Sequence, residues 1–219
     1  MEMLTAMKAA ASPREVAFTV LGLSRPALGV LPEAAQDVLH DLSGRLSGWY
    51  EEHRRDDWLW FEERLTYDNA RLPQALIAAG HRLDNPALLK SGLEALDWYA
   101  EQCALHTDIV RLVGNRWRRS GEPPRGWIAE GDEQPLDAAA LVEALAEATI
   151  ATGQREYGRQ AFRAFEWVPG SQLRGHTSDR SVRRSGPTCW VPRPLCCTRS
   201  LSPNRSGCRW SRPWRRERP

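Results

Sequence analysis

A chain of 219 residues, 42% hydrophobic and 26% charged, is long enough to bury a core, and no apolar run approaches the length of a membrane span. No positively charged start leads into an apolar stretch, so a secretory signal is not expected, no membrane partner is expected, and a cytoplasmic setting is the default. The net charge of +2 averages two unlike parts: residues 168–219 hold 12 Arg, no Lys and 2 acids, a net of +10, whereas residues 1–167 hold 18 basic and 26 acidic residues, a net of −8.

From about Pro13 to Trp167 the apolar period is helical and strand signals are scarce. Val16 and Val20 open a short helix that stops near Gly22. Val38, Leu42, Leu46 and Trp49 then form one stripe at helical spacing. Leu72, Leu76, Ala79 and Leu83 mark the next helix, with Gly80 near its end. Asn85-Pro86 is a start signal, because Asn caps and Pro fills the first position, where its missing N–H is not needed; Leu89, Leu93, Leu96 and Ala100 line the helix that follows. Pro135 starts another helix with Leu141, Ala144, Leu145 and Ala148, closing at Thr152-Gly153, and Tyr157, Ala161, Ala164 and Phe165 form the last. Leu93-Glu-Ala-Leu-Asp-Trp98 and Phe162-Arg-Ala-Phe-Glu-Trp167 match in type at a spacing of 69 residues, and each closes a helical pair. Short turns at Gly80 and Gly153 against a long polar loop from Leu105 to Gln134 are the pattern of a helical toroid, which carries its function on the long-loop face.

Two loops could carry chemistry. One is Trp58-Leu-Trp-Phe-Glu-Glu-Arg-Leu-Thr-Tyr-Asp-Asn-Ala-Arg-Leu-Pro73; the other is Val113-Gly-Asn-Arg-Trp117 followed by Trp127 and Gly131-Asp-Glu-Gln-Pro135. Both run directly into helices. Aromatic faces beside amides and carboxylates suit a sugar, whose CH faces stack on rings while its hydroxyls take paired hydrogen bonds. Two carboxylates facing one pocket are also what glycoside hydrolysis requires. On this reading Asp68 and Asp132 are the candidate catalytic acids; Tyr67, Asn69, Arg71, Asn115 and Gln134 bind hydroxyls, and Trp117 or Trp127 stacks. The plainer reading makes Asp68, Asn69 and Asp132 helix N-caps, and places Trp58, Trp60 and Trp98 in the core. Glu62 and Glu63 equally suit solvent or pairing with Arg64 and Arg71. His53, His81, His106 and His176 have no ligand spacing, so no metal is expected; Cys103 is an inert helix thiol. No phosphate-binding glycine loop or nucleophile elbow occurs, so no nucleotide cofactor is expected.

The tail holds four of the five Cys but no Ala, Ile, Phe, Tyr or Met. As a nucleic-acid arm it would set Arg against phosphate. As a zinc module it lacks any C-x2-C pair among Cys189, Cys196, Cys197 and Cys208, and as a disulfide framework it lacks a secretory context. The reading we favour is a frameshift between about Phe165 and Ser181: joining each codon's third base to the next two can restore Leu, Ala, Val and Gly in place of Cys, Arg, Pro and Trp, and no nucleic-acid partner is then expected. Disorder is expected in either case, since Arg, Ser and Pro with few aliphatics do not offset ordering entropy.

The run Trp58-x-Trp-Phe-Glu-x-x-Leu-Thr-Tyr-Asp-Asn-Ala-Arg-Leu-Pro-Gln-Ala-Leu76, with Val113-Gly-Asn115 and Asp132-x-Gln-Pro-Leu-Asp-Ala-Ala-Ala-Leu-Val-Glu-Ala144, resembles a bacterial helical family described as glycosyltransferase or glycosyltransferase-associated. That family is similar to the six-hairpin glycosidases, and the resemblance covers roughly residues 13–167. It implies an all-α fold, a partial α/α-toroid domain over 13–167 with a disordered tail over 168–219, and a saccharide substrate or ligand. It leaves enzyme and non-catalytic partner of a glycosyltransferase both open. The chain departs from the family pattern at Asn115-Arg-Trp117, where Gly-x-Trp follows Val-Gly-Asn in the family, and at Gly131-Asp-Glu-Gln-Pro135, where the family has Phe-Asp-Gln-Gln-Pro. The family's further upstream hairpins and its closing Gly-Ala-Glu-Ser-Thr-Leu segment imply a toroid unclosed at both ends, and a string like that closing segment arises in the shifted translation.

Overall fold

The computed structural model describes residues 7–25, 29–107, 109–113, 118–122 and 133–168. Among the described residues six helices form the body: α1 (Pro13–Leu23), α2 (Glu33–His53), α3 (Arg71–Arg82), α4 (Pro86–Gln102), α5 (Pro135–Thr152) and α6 (Arg155–Trp167). Among the described residues the only extended pairings are isolated bridges, Arg55 with Trp58 and Arg64 with Arg119. The expectation of an all-α body therefore holds. None of these helices is long and apolar enough to cross a membrane.

Local chemistry explains where the helices start and stop. Ser12 caps α1 in a capping box with Glu15, and Pro13 takes the position where a missing N–H costs nothing. Asn85 caps α4 by accepting from the N–H groups of Ala87 and Leu88, ahead of Pro86. Gly153 ends α5 in the left-handed region at φ 70°, which glycine adopts without strain.

The helices lie as three hairpins in two layers. Arg14 on the first turn of α1 donates to the Tyr67 carbonyl just before α3, and Arg82 at the end of α3 donates to the Gly29 carbonyl just beyond α1. The start of α5 meets the start of α3 through Asp137. Helices α1, α3 and α5 thus run parallel in one layer, and α2, α4 and α6 run antiparallel to them in the other. At the centre, α3 is buried from Leu72 through Gly80, with α1, α4 and α5 packed around it. The core continues into Trp58, Trp60, Phe61 and Trp98, so these aromatics take the core role.

Several sequence stripes shift by a residue. Tyr50 rather than Trp49 is fully buried on α2, packed against Phe61, while Trp49 is partly buried with the Arg45 guanidinium 5.6 Å from its ring centroid. On α4 the buried set is Leu88, Gly92, Ala95, Leu96, Trp98, Tyr99 and Ala100, with Leu89 and Leu93 only partly covered. Phe165 is 52% exposed, since no element among the described residues packs on that flank of α6.

The spacing of 69 residues proves to be structural. Helices α4 and α6 begin at Pro86 and Arg155, and the buried Leu72, Ala75, Leu76 and Ala79 of α3 correspond to Leu141, Ala144, Leu145 and Ala148 of α5. The left-handed residues Asp84, at φ 50°, and Gly153, at φ 70°, stand at equivalent turns.

Candidate functional site at the long-loop end

The long loops enter α3 and α5 at the end of the layer where α1 also begins. There Tyr67, Asp68 and Asn69 precede α3. Asp68 takes the left-handed conformation at φ 51°, which a short polar side chain tolerates and most residues do not. That turn points the Asp68 N–H at Asp137 Oδ1, 2.7 Å away on the first turn of α5. The Asn69 N–H reaches the same carboxylate. Neither Asp68 nor Asn69 is the helix cap, because the N-cap of α3 is Ala70 with no side-chain cap bond, so the capping expectation is corrected.

Asn69 is fully buried and holds the turn: its Oδ1 accepts from the Thr66 N–H at 3.0 Å and from Arg14 at 3.3 Å. Arg14 also donates to Glu62 at 2.6 Å and lies 5.2 Å from the Tyr67 ring centroid. Tyr67 is left 48% exposed, an aromatic face at the end of the layer backed by a cation. Arg71 Nε pairs with Asp68 Oδ1 at 3.3 Å, while Nη1 binds Gln74 and Glu143. Gln134 is the N-cap residue of α5, with no side-chain cap bond.

The electrostatics follow from burial. Asp68 is 3% exposed and Asp137 1%. Burial raises the Asp68 carboxyl above its ordinary value against the pull of Arg71. Asp137 is raised to about 6, first by burial and further by the Asp68 charge, against the bond from the Asp68 N–H. Glu143 is lowered by its bond to Arg71.

Of the residues expected from sequence, the structure thus brings together Tyr67, Asp68, Asn69 and Arg71. Asn115, Trp117, Trp127 and Asp132 lie outside the described residues. Sequence reasoning missed Arg14 and above all Asp137, and it offered Glu62 solvent or Arg64 and Arg71 as partners where the structure pairs it with Arg14. The signal that could have found Asp137 is the repeat, because it stands 69 residues after Asp68. A groove of about 780 Å³ along α3 reaches Arg71 and Gln74 at this end but is lined mainly at the short-turn end, by Arg25, Gln36, Arg82 and Ile150 among others. Glu147 is half-buried there and its carboxyl is raised by burial, opposed by His81 and Arg25. No cluster of three or more metal-ligating side chains occurs among the described residues.

No known family, curated protein or solved structure matches this chain.

Proposed function

We propose that the chain is a carbohydrate-active helical protein of the α/α-toroid type, similar to six-hairpin glycosidases and glycosyltransferase-associated proteins, that binds a saccharide at the long-loop end. The observation that carries this reading is Tyr67, a half-exposed ring fixed from behind by Arg14, which also holds the Glu62 carboxylate. A rigid aromatic face with acceptors and donors at its edge is what a pyranose needs, with CH groups on the ring and hydroxyls on the rim. Two layers of hairpins with parallel inner helices and long loops at one end are also the arrangement a toroid segment requires.

Burial of Asp68 and Asp137 favours binding without turnover, the role of a module that serves a glycosyltransferase. Hydrolysis needs two carboxylates open to the sugar and separated by about 5 to 10 Å, whereas here one accepts the other's backbone N–H in the protein interior. In the hydrolytic form of the proposal Asp68 and Asp132 remain the catalytic acids. A glycan array is expected to give retained ligands that Tyr67→Ala loses and Tyr67→Trp keeps; an array blank with folded protein sinks the reading. With any glycan so found, hydrolysis that falls by at least about 10³ in Asp68→Asn would establish turnover, and no hydrolysis by the parent protein would establish the binding module.

A further inference from the structure

Both edges of the two-layer body carry exposed aromatic side chains with no described element packed on them. At one edge α6 exposes Phe162 (63%) and Phe165 (52%); at the other, α1 exposes Phe18 (50%) beside α2. The counterpart of Phe165 in the repeat is Leu96 of α4, which is fully buried. The same helical position is therefore buried in the second hairpin and open in the third, where no described element lies beyond it.

The charges on the two outer edge helices are complementary and in step. Glu33, Asp37 and Asp41 stand at i, i+4 and i+8 on α2, all exposed, with no hydrogen bond or ion pair among the described residues. Arg155, Arg159 and Arg163 stand at the same spacing on α6. Arg159 pairs with Glu156 at 3.0 Å and Arg163 donates to the Thr107 carbonyl; Arg155 has no side-chain partner among the described residues. The dipole of α2 accounts for Glu33 in its first turn but not for Asp41, two turns further on, and the dipole of α6 opposes an arginine at its first residue. The two stripes match in spacing and are opposite in sign.

We propose that two copies of this chain pair head to tail, α6 of each lying parallel to α2 of the other, with Phe162 and Phe165 buried against the partner's α1–α2 edge. Both helices start at the short-turn end of the layer. A twofold axis along the helices then sets Arg155 against Glu33, Arg159 against Asp37 and Arg163 against Asp41 in steps of about 6 Å. Each copy uses both its edges, so the pair closes and leaves no open edge to propagate. The apolar flank supplies the affinity and the charge ladder fixes the register.

Sedimentation equilibrium of the full chain is the test. At about 100 µM the expected mass is twice the 24.8 kDa of one chain. Raising the salt from about 0.05 to 0.5 M should weaken pairing by about tenfold. Phe162→Asp with Phe165→Asp should give a monomer of unchanged helical circular dichroism. Asp37→Arg and Arg159→Asp should each weaken pairing by at least about tenfold, and the two together should restore most of it. A monomer at about 100 µM overturns the proposal, including one whose melting temperature falls in the double Phe variant because another part of the chain covers that flank. A dimer indifferent to these substitutions, or one the charge swap does not restore, overturns it as well.

Discussion

Asp137 shows how a residue can be ordinary in sequence and central in space. An acid in the first turn of a helix is expected for the dipole alone, so nothing local distinguishes it. Its place under the Asp68 turn depends on two helices meeting, and only the repeat foreshadows that. Because its carboxyl is raised from 3.8 to about 6, the folded protein keeps a proton that the unfolded chain releases. The associated stability is fully present below about pH 4 and is lost as pH rises through about 6, on the order of 3 kcal/mol. Asp68 and Glu147 are raised as well and act in the same sense. Asp137→Asn keeps an acceptor for the Asp68 N–H without a charge to bury. Urea unfolding at pH 4.5 and pH 7.5 should therefore show a smaller difference for this variant than for the parent; an equal difference would remove Asp137 as the cause.

The helices were legible in sequence because each carries its own signals, and their faces were less so because faces are set by neighbours. Gly80 and Gly158 make the point. They do not occupy equivalent positions; they are the two sides of one repeated contact, Gly80 against Leu89 in the α3–α4 hairpin and Thr149 against Gly158 in the α5–α6 hairpin. A Cβ at Gly80 would lie 2.5 Å from the Leu89 backbone nitrogen and 2.9 Å from its Cα, neither of which can yield without moving α4. At Gly158 the nearest atom is Thr149 Oγ1 at 3.7 Å, an ordinary contact. Gly80→Ala should cost at least about 2 kcal/mol. Gly158→Ala should be neutral or stabilise by up to about 1 kcal/mol through helix propensity. At the turn between α3 and α4, Asp84 holds φ 50°, where the second hairpin has Gly153. Asp84→Gly is accordingly expected to relieve strain and raise stability by about 0.5 kcal/mol, so thermal melts should place Gly80→Ala well below the parent and the other two variants at or above it.

At the scale of the molecule, what sequence left unread is how the long loops bind the hairpins together, since the pairing involves residues far apart in the chain with no periodicity to announce it. The key is Arg118, a charged residue only 7% exposed. Its guanidinium lies 5.6 Å from the Trp58 ring centroid and 5.7 Å from that of Trp98, and it donates to Gln102 at the end of α4. Its own carbonyl accepts from the Leu65 N–H at 3.1 Å, and Ser120 N–H donates to the Glu63 carbonyl at 2.9 Å. One side chain thus joins the loop before α3, the loop before α5 and the C-terminal turn of α4. A guanidinium near two indoles that meet edge to face has no equivalent in lysine, whose compact ammonium cannot reach both rings and bond Gln102 at once. Arg118→Met keeps the apolar stem and loses both ring interactions and the Gln102 bond, for an expected cost of about 2 to 4 kcal/mol. Arg118→Lys should recover less than half of that. Hydrogen exchange locates the effect: the amides of Leu65 and Ser120 should lose protection in both variants while those of Leu76 and Ala79 inside α3 keep theirs. Uniform loss across the body would mean that Arg118 supports the core as a whole, whereas loss confined to the loops establishes it as the tie that holds the Tyr67 platform in place.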